Sequence, residues 1–254
     1  MKHSTLIILI YWLLNCLPSQ AQEGWMLWYG NNQFAAQDIP YSLQKKQTQL
    51  SQRPSARVNC VGLAPDGGWV ISYYSQSGNT AKPYLSWDGT HRDFMEILHP
   101  INNSGSVIQQ VVFSPLLTYD KQSWVILYDD KDANWKNLPD NLIQTIVTLN
   151  QNNRKIKSIG LAVNGGWVLI ADNNEVYTEL IPAALQAAID QLKAAKRELQ
   201  YIAFNLDNGW VLIAAKNEAV WDKIPASLVT KIQALQTKNE IIKGINFYTI
   251  KGKL

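Results

Sequence analysis

The chain has 254 residues, 46% of them hydrophobic and 17% charged, with a formal net charge of +3. This composition is that of a globular protein with a sizeable core, and it excludes a disordered or collagen-like chain. Lys and Arg are interspersed with acids, so no nucleic acid or other polyanion is implied as a partner.

Residues 1–21 read as a secretory signal peptide. Lys2 and His3 open it, an apolar run from Ser4 to Cys16 follows, and Ser19-Gln20-Ala21 fits a small-x-small cleavage site. The run is shorter than the roughly 20 residues of a spanning helix, and no later segment is apolar enough to cross a membrane. The expected mature chain, residues 22–254, is therefore secreted or periplasmic. A form lipid-anchored at Cys16 is the alternative, and Asn15 stands where that reading wants a small residue. Removal of residues 1–21 leaves Cys60 alone, so no internal disulfide is expected.

The mature chain repeats itself. Trp25, Trp69, Trp124, Trp167 and Trp210 lie 44, 55, 43 and 43 residues apart, in contexts such as "DGGWV", "NGGWV" and "DNGWV". Pro40, Pro139, Pro182 and Pro225 each follow a tryptophan by 15 residues, at the expected first turn of a helix. After each proline, apolar residues recur with helical period: Leu43, Leu142, Leu185 and Leu228, then Ile146, Ile189 and Ile232, then Leu50, Leu149, Leu192 and Leu235. An alternating strand comes next, with Val61 and Leu63, Ile159 and Leu161, Ile202 and Phe204, or Ile245 and Phe247. A Gly- or Asn-bearing turn joins it to the Trp-led strand, and a short third strand leads to the next proline. In the second repeat His91 takes the proline slot, with Phe94, Leu98 and Ile101 on the helix face. Two insertions, near residues 75–82 and 116–123, account for its extra length.

The unit is thus an antiparallel three-strand β-meander plus one helix, about 43 residues long. A half-unit stands at each end of the chain, a Trp25 strand at the start and "IIKGINFYTI" at the close. The fold class expected is an α+β repeat protein forming a closed five-fold pseudo-symmetric ring, sealed by pairing of residues 24–30 with 242–250. Such pairing removes the free sheet edges of an open array. An open solenoid is the alternative, but distinct polar caps are missing. The closure resembles that of β-propellers, without the Gly-His…Trp-Asp signature of WD40 blades.

The Gly-Trp column reads as packing: tryptophans at the start of five equivalent strands, on sheets covered on one face by helices and closed on the other by neighbouring units. A second aromatic column, Trp87, Trp135 and Trp221 with Tyr177 beside the vacant fourth place, falls on the third strand. Those four are the candidate ligand contacts, for stacking on sugar rings or peptides, and cover of a neighbouring helix is the competing reading. His91 and His99, with Asp93 and Glu96, invite acid–base chemistry, yet eight residues separate the histidines along a helix. Cys60 on its strand reads as a small buried hydrophobe.

No cofactor or metal site and no catalytic residue is assigned. The function expected is a secreted, non-catalytic binding or scaffold protein, monomeric, recognising glycan or protein ligands at repeated sites. The alternative is a secreted hydrolase with a single site in the divergent second repeat, residues 75–123. Fold alone does not choose between them.

Overall fold

The computed structural model describes residues 23–77, 80–115 and 122–249. The signal-peptide reading and the tips of both insertions lie outside the described residues. The strands are β1 (Glu23–Tyr29), β2 (Gln33–Gln37), β3 (Ala56–Leu63), β4 (Trp69–Ser77), β5 (Thr80–Asp88), β6 (Ile108–Phe113), β7 (Trp124–Tyr128), β8 (Asp132–Lys136), β9 (Ile156–Leu161), β10 (Trp167–Ala171), β11 (Val176–Glu179), β12 (Leu199–Phe204), β13 (Trp210–Ala214), β14 (Glu218–Asp222) and β15 (Ile242–Thr249). Among the described residues five α-helices punctuate them: α1 (Tyr41–Ser51), α2 (Arg92–Asn103), α3 (Asp140–Gln151), α4 (Ala183–Ala194) and α5 (Ala226–Thr237). Among the described residues no helix is long and apolar enough to cross a membrane.

Every strand belongs to one of five three-stranded antiparallel sheets, ordered β15-β1-β2, β3-β4-β5, β6-β7-β8, β9-β10-β11 and β12-β13-β14. With one helix after each sheet, this is a propeller-like repeat fold. The first sheet takes its innermost strand from the C-terminal end: Trp25 pairs Phe247, as Trp69 pairs Leu63 and Trp210 pairs Phe204. All five innermost strands carry a one-residue bulge at the same place, at Lys243, Asn59, Gln109, Lys157 and Gln200.

Each proline sits just outside its helix as the N-cap, φ near −57° at Pro139 and Pro182, and its carbonyl accepts the first intrahelical bond. This is one position earlier than the first turn that the spacing suggested. His91 serves the same way ahead of α2, with Met95 N–H donating to its carbonyl at 3.2 Å. The leucines and isoleucines counted from the prolines are buried in all five helices.

The helices do not cover one face of each sheet, as the pattern suggested, but wedge between successive sheets. The cluster around α2 joins Val70 of the second sheet to Phe94 and Leu98 of the helix and to Val111 and Ile126 of the third. The clusters at α3 and α4 are built likewise. A three-stranded sheet is short on apolar area. One helix therefore serves the facing surfaces of two sheets.

The Gly-Trp pair is explained at this seam. The five tryptophans are 3–4% exposed, and Trp69, Trp167 and Trp25 donate their indole N–H to Ser42, Asn141 and Ser227, each the second residue of a helix, α1, α3 and α5 in turn. The glycine before Trp167 is required by contact: a Cβ on Gly166 would lie 2.4 Å from the Leu180 carbonyl oxygen. In the third sheet Ser123 replaces glycine and donates its hydroxyl to Asn137 O at 2.8 Å.

Candidate functional site

One edge strand of each sheet meets the corresponding strand of the next: β3 lies against β6, β6 against β9, β9 against β12, β12 against β15, and β15 against β3. Side chains of one strand reach the backbone of the next. Gln110 Nε2 donates to Ile159 O (3.1 Å) and Gln110 Oε1 accepts from Ile159 N–H (2.8 Å). Ser158 Oγ accepts from Ile202 N–H (3.2 Å), Tyr201 Oη donates to Ile245 O (3.0 Å), and Asn246 Nδ2 donates to Val61 O (2.6 Å). Cys60 Sγ completes the series against the Val111 N–H.

These groups supply hydrogen-bond partners to backbone N–H and C=O groups on strand edges that no ladder pairs. Burial pushes the Cys60 thiol up to about 12, which leaves it a neutral thiol. The same desolvation raises the Tyr201 phenol. In the first sheet the equivalent place holds Gly244, because a Cβ there would lie 2.2 Å from the Trp28 ring; Asn246, two residues on, supplies the contact instead.

Above this belt is a cavity of about 40 Å³ lined by Gln110, Phe113, Tyr201, Phe204, Phe247 and Tyr248 among others. Its volume has room for water, which needs roughly 10–15 Å³, and not for a sugar ring. Sequence reasoning missed this belt. The available signal was a polar or small residue at one place in otherwise apolar strands: Cys60, Gln110, Ser158, Tyr201.

The third-strand aromatics are unequal. Trp135 and Tyr177 are half-buried against the α3 cluster and Trp221 against the cluster of α5, whereas Trp87 is 44% exposed. Trp87 meets His99 of α2 edge-on with ring centroids 4.6 Å apart. Tyr177 donates its hydroxyl to Glu175 Oε2 at 2.8 Å, which raises its pKa. The three tryptophans share a register position but do not form equivalent open grooves.

The second sheet differs from the rest. Its β4 and β5 run nine residues each, where β7, β10 and β13 run five. Just before the added length Tyr73 stacks on Tyr84 (centroids 5.5 Å, 17°), with Lys46 Nζ 5.0 Å above the Tyr73 ring. Between α1 and β5 runs an open groove of about 380 Å³ lined by Ser42, Lys45, Lys46, Gln49, Ser86 and Trp87, among others.

The histidines and carboxylates of this repeat go separate ways. His91 Nε2 pairs with Asp66 Oδ2 at 2.8 Å in the β3–β4 turn, Asp93 pairs with Lys136 of β8, and Glu96 pairs with Arg92. The Lys136 contact holds the Asp93 carboxyl below its usual range. His91 and Asp93 are thus each engaged by a different ion-pair partner. Among the described residues no group of three His, Cys, Asp or Glu is placed to hold a metal ion.

No protein-family model and no curated protein matches this chain. Of solved structures, the one described as "Structure of Dos1 propeller" is similar over 65% of this chain and 44% of that one, at 9% identity and a TM-score of 0.28. The chain thus corresponds to less than half of that protein, a superposition too partial to relate the two folds.

Proposed function

We propose that residues 22–254 form a secreted or periplasmic, monomeric binding or scaffold protein, a closed five-fold ring that recognises a glycan or protein ligand. Support for closure is the cycle of neighbouring inner strands together with β1–β15 pairing. The observation that carries the binding reading is the unequal exposure of aromatics: Trp87 and Tyr84, both on β5, are 44% and 40% exposed, while the Gly-Trp column is buried. Exposed rings beside polar groups are the usual furniture of a sugar or peptide contact. Trp87 is then the principal contact of the third-strand column, with Trp135, Tyr177 and Trp221 lesser ones.

A hydrolase reading needs a nucleophile, a base and its orienting group within reach. His91 and Asp93 lead to different partners, which speaks against it. Screening the mature protein and its Trp87→Ala variant on glycan and peptide arrays tests the proposal. Signals that vanish with Trp87 support it; identical signals from both proteins overturn Trp87 as the contact.

A further inference from the structure

Resting on this binding reading, we propose that the groove between α1 and β5 takes a carboxylate-bearing sugar, the uronate unit of an acidic oligosaccharide. The groove, about 380 Å³, falls in the size range of small-molecule sites. One wall is α1, with Ser42, Lys45, Lys46 and Gln49 on the side facing β5. No ion pair among the described residues involves Lys45 or Lys46. Lys46 Nζ donates to the Tyr73 hydroxyl at 3.4 Å, a neutral partner that leaves its charge uncompensated, and a carboxylate supplies the counter-charge for it and for Lys45.

The opposite wall supplies the rest of a sugar site. Ser86 and Trp87 of β5 line it, and Tyr84, on the same face of β5 as Ser86 by its pairing with Tyr73, stands next along the strand beyond the lining. Tyr84 stacks on Tyr73 with one face and remains 40% exposed, which leaves aromatic surface for the C–H face of a pyranose. Hydroxyl and amide groups of Ser86 and Gln49 match ring hydroxyls. Ser42 Oγ accepts the Trp69 N–H and keeps its own proton to donate.

The neighbouring seams provide internal contrast. At the α1 positions of Ser42, Lys45, Lys46 and Gln49, α2 has Asp93, Glu96, Ile97 and Pro100, which offer an acid no cation, Asp93 and Glu96 being held by Lys136 and Arg92. The seam at α5 repeats half of the arrangement: Lys231 Nζ lies 4.9 Å over the Tyr29 ring. There Thr230 stands in for Lys45, and Tyr29 pairs Gln33 in place of an aromatic. Lysine over tyrosine is thus a packing device shared by two seams, whereas the α1 seam adds a second lysine, Lys45, in the groove and the exposed Tyr84 ring beside it.

Titration calorimetry with tetragalacturonate as probe and cellotetraose as neutral comparator tests the inference, at low and high salt. The acid tetramer is expected to bind and to weaken at least about tenfold in the Lys45→Gln/Lys46→Gln double variant and in Tyr84→Ala, one charge-assisted or stacking contact each. Lys231→Gln should leave its affinity unchanged, and salt should weaken it. All these side chains are partly exposed, and thermal melts check that the variants fold. Equal affinity of the double variant, or failure of the acid tetramer to bind, overturns the inference. If cellotetraose binds and tetragalacturonate does not, the acidic class falls while the binding reading stands; blank arrays for the mature protein would remove that reading as well.

Discussion

Trp69 donates its indole N–H to Ser42 Oγ across 2.9 Å, and Trp167 and Trp25 make the same bond to Asn141 and Ser227, each at 3.1 Å. The equivalent residue before Trp210 is Ala184, and Trp210 Nε1 is buried without a partner. A buried donor left unpaired costs about 1–3 kcal/mol. Ala184→Ser should therefore stabilise the protein by about 1 kcal/mol in urea unfolding, and Ser42→Ala should destabilise it by about 1–2 kcal/mol. If Ala184→Ser has no effect on the midpoint, the indole bond is not what the second helix residue supplies.

Leu180 adopts φ +50°, a left-handed conformation shared at that place by Asp38, Gly89, Asn137 and Lys223. Its carbonyl abuts Gly166 and accepts Asn164 Nδ2 at 3.1 Å. A bulky side chain in this region costs about 1–2 kcal/mol, and Leu180 is 65% exposed, so it regains little by burial. Leu180→Asn should raise stability by about 0.5–1 kcal/mol, since asparagine tolerates this region better. Gly166→Ala should do the reverse, with a Cβ forced to within 2.4 Å of that oxygen. Both are read from the shift in urea midpoint, with opposite signs.

Glu23 on β1 accepts Asn205 Nδ2 at 3.0 Å and Leu206 N–H at 3.2 Å, tying the first sheet to the β12–β13 turn. Burial raises its pKa to about 7 despite those donors, and Asp207 adds to the rise. Below about pH 4.5 both folded and unfolded chains hold the proton, and its stabilisation is full. As pH climbs to 7 the unfolded chain has released it and the folded chain has not, so stability falls through that window. The loss is on the order of 2 kcal/mol after screening at this partly exposed site. Glu23→Gln should flatten the wild-type slope between pH 4.5 and 7; an unchanged slope would show that other groups set it.

Removing residues 242–254 deletes β15, the partner of β1, and takes away Ile242 and Ile245, both buried. Each is worth about 1.5–3 kcal/mol, against a typical total of about 5–15 kcal/mol. The truncated chain also loses the Tyr201 contact at Ile245 and the Asn246 contact at Val61. It should unfold or aggregate if the five sheets form a closed ring, whereas an open array would fray at one end. A soluble truncation with the melting temperature of the full chain would defeat the ring proposal.

Residues that recur at fixed spacing were legible in the sequence. Trp25 and its equivalents, the prolines and the helix leucines repeat because each seam poses the same packing problem. What the seam shares between two sheets was not legible: Leu98 reads as a residue facing one sheet, and periodicity does not say that the helix touches two. The inner belt also escaped, because its chemistry differs in every unit. Cys60, Gln110, Ser158 and Tyr201 solve one problem, a backbone edge needing partners, with four side chains that share a place after the bulge but no residue type. Trp87, Trp135 and Trp221 occupy one register position of the third strand, as their spacing implies, but exposure depends on what each neighbouring helix presents, and spacing carries no record of that.

That difference in exposure fixes what substitutions in the column should do. Trp135 packs with Ile143 against the α3 cluster and Trp221 packs against the cluster of α5. Replacing either by Ala leaves a partial cavity and should cost about 2–4 kcal/mol, at or below the usual range for a buried ring. Trp87 is 44% exposed and touches His99 edge-on, so Trp87→Ala should cost about 1 kcal/mol or less, the scale of one aromatic pair. Its effect should fall on ligand binding. Thermal melts of the three single variants separate helix cover from contact surface before any ligand is known. A loss in Trp87→Ala equal to that in Trp135→Ala would make the whole column structural, and would leave the Lys45 and Tyr84 groove as the remaining candidate for recognition.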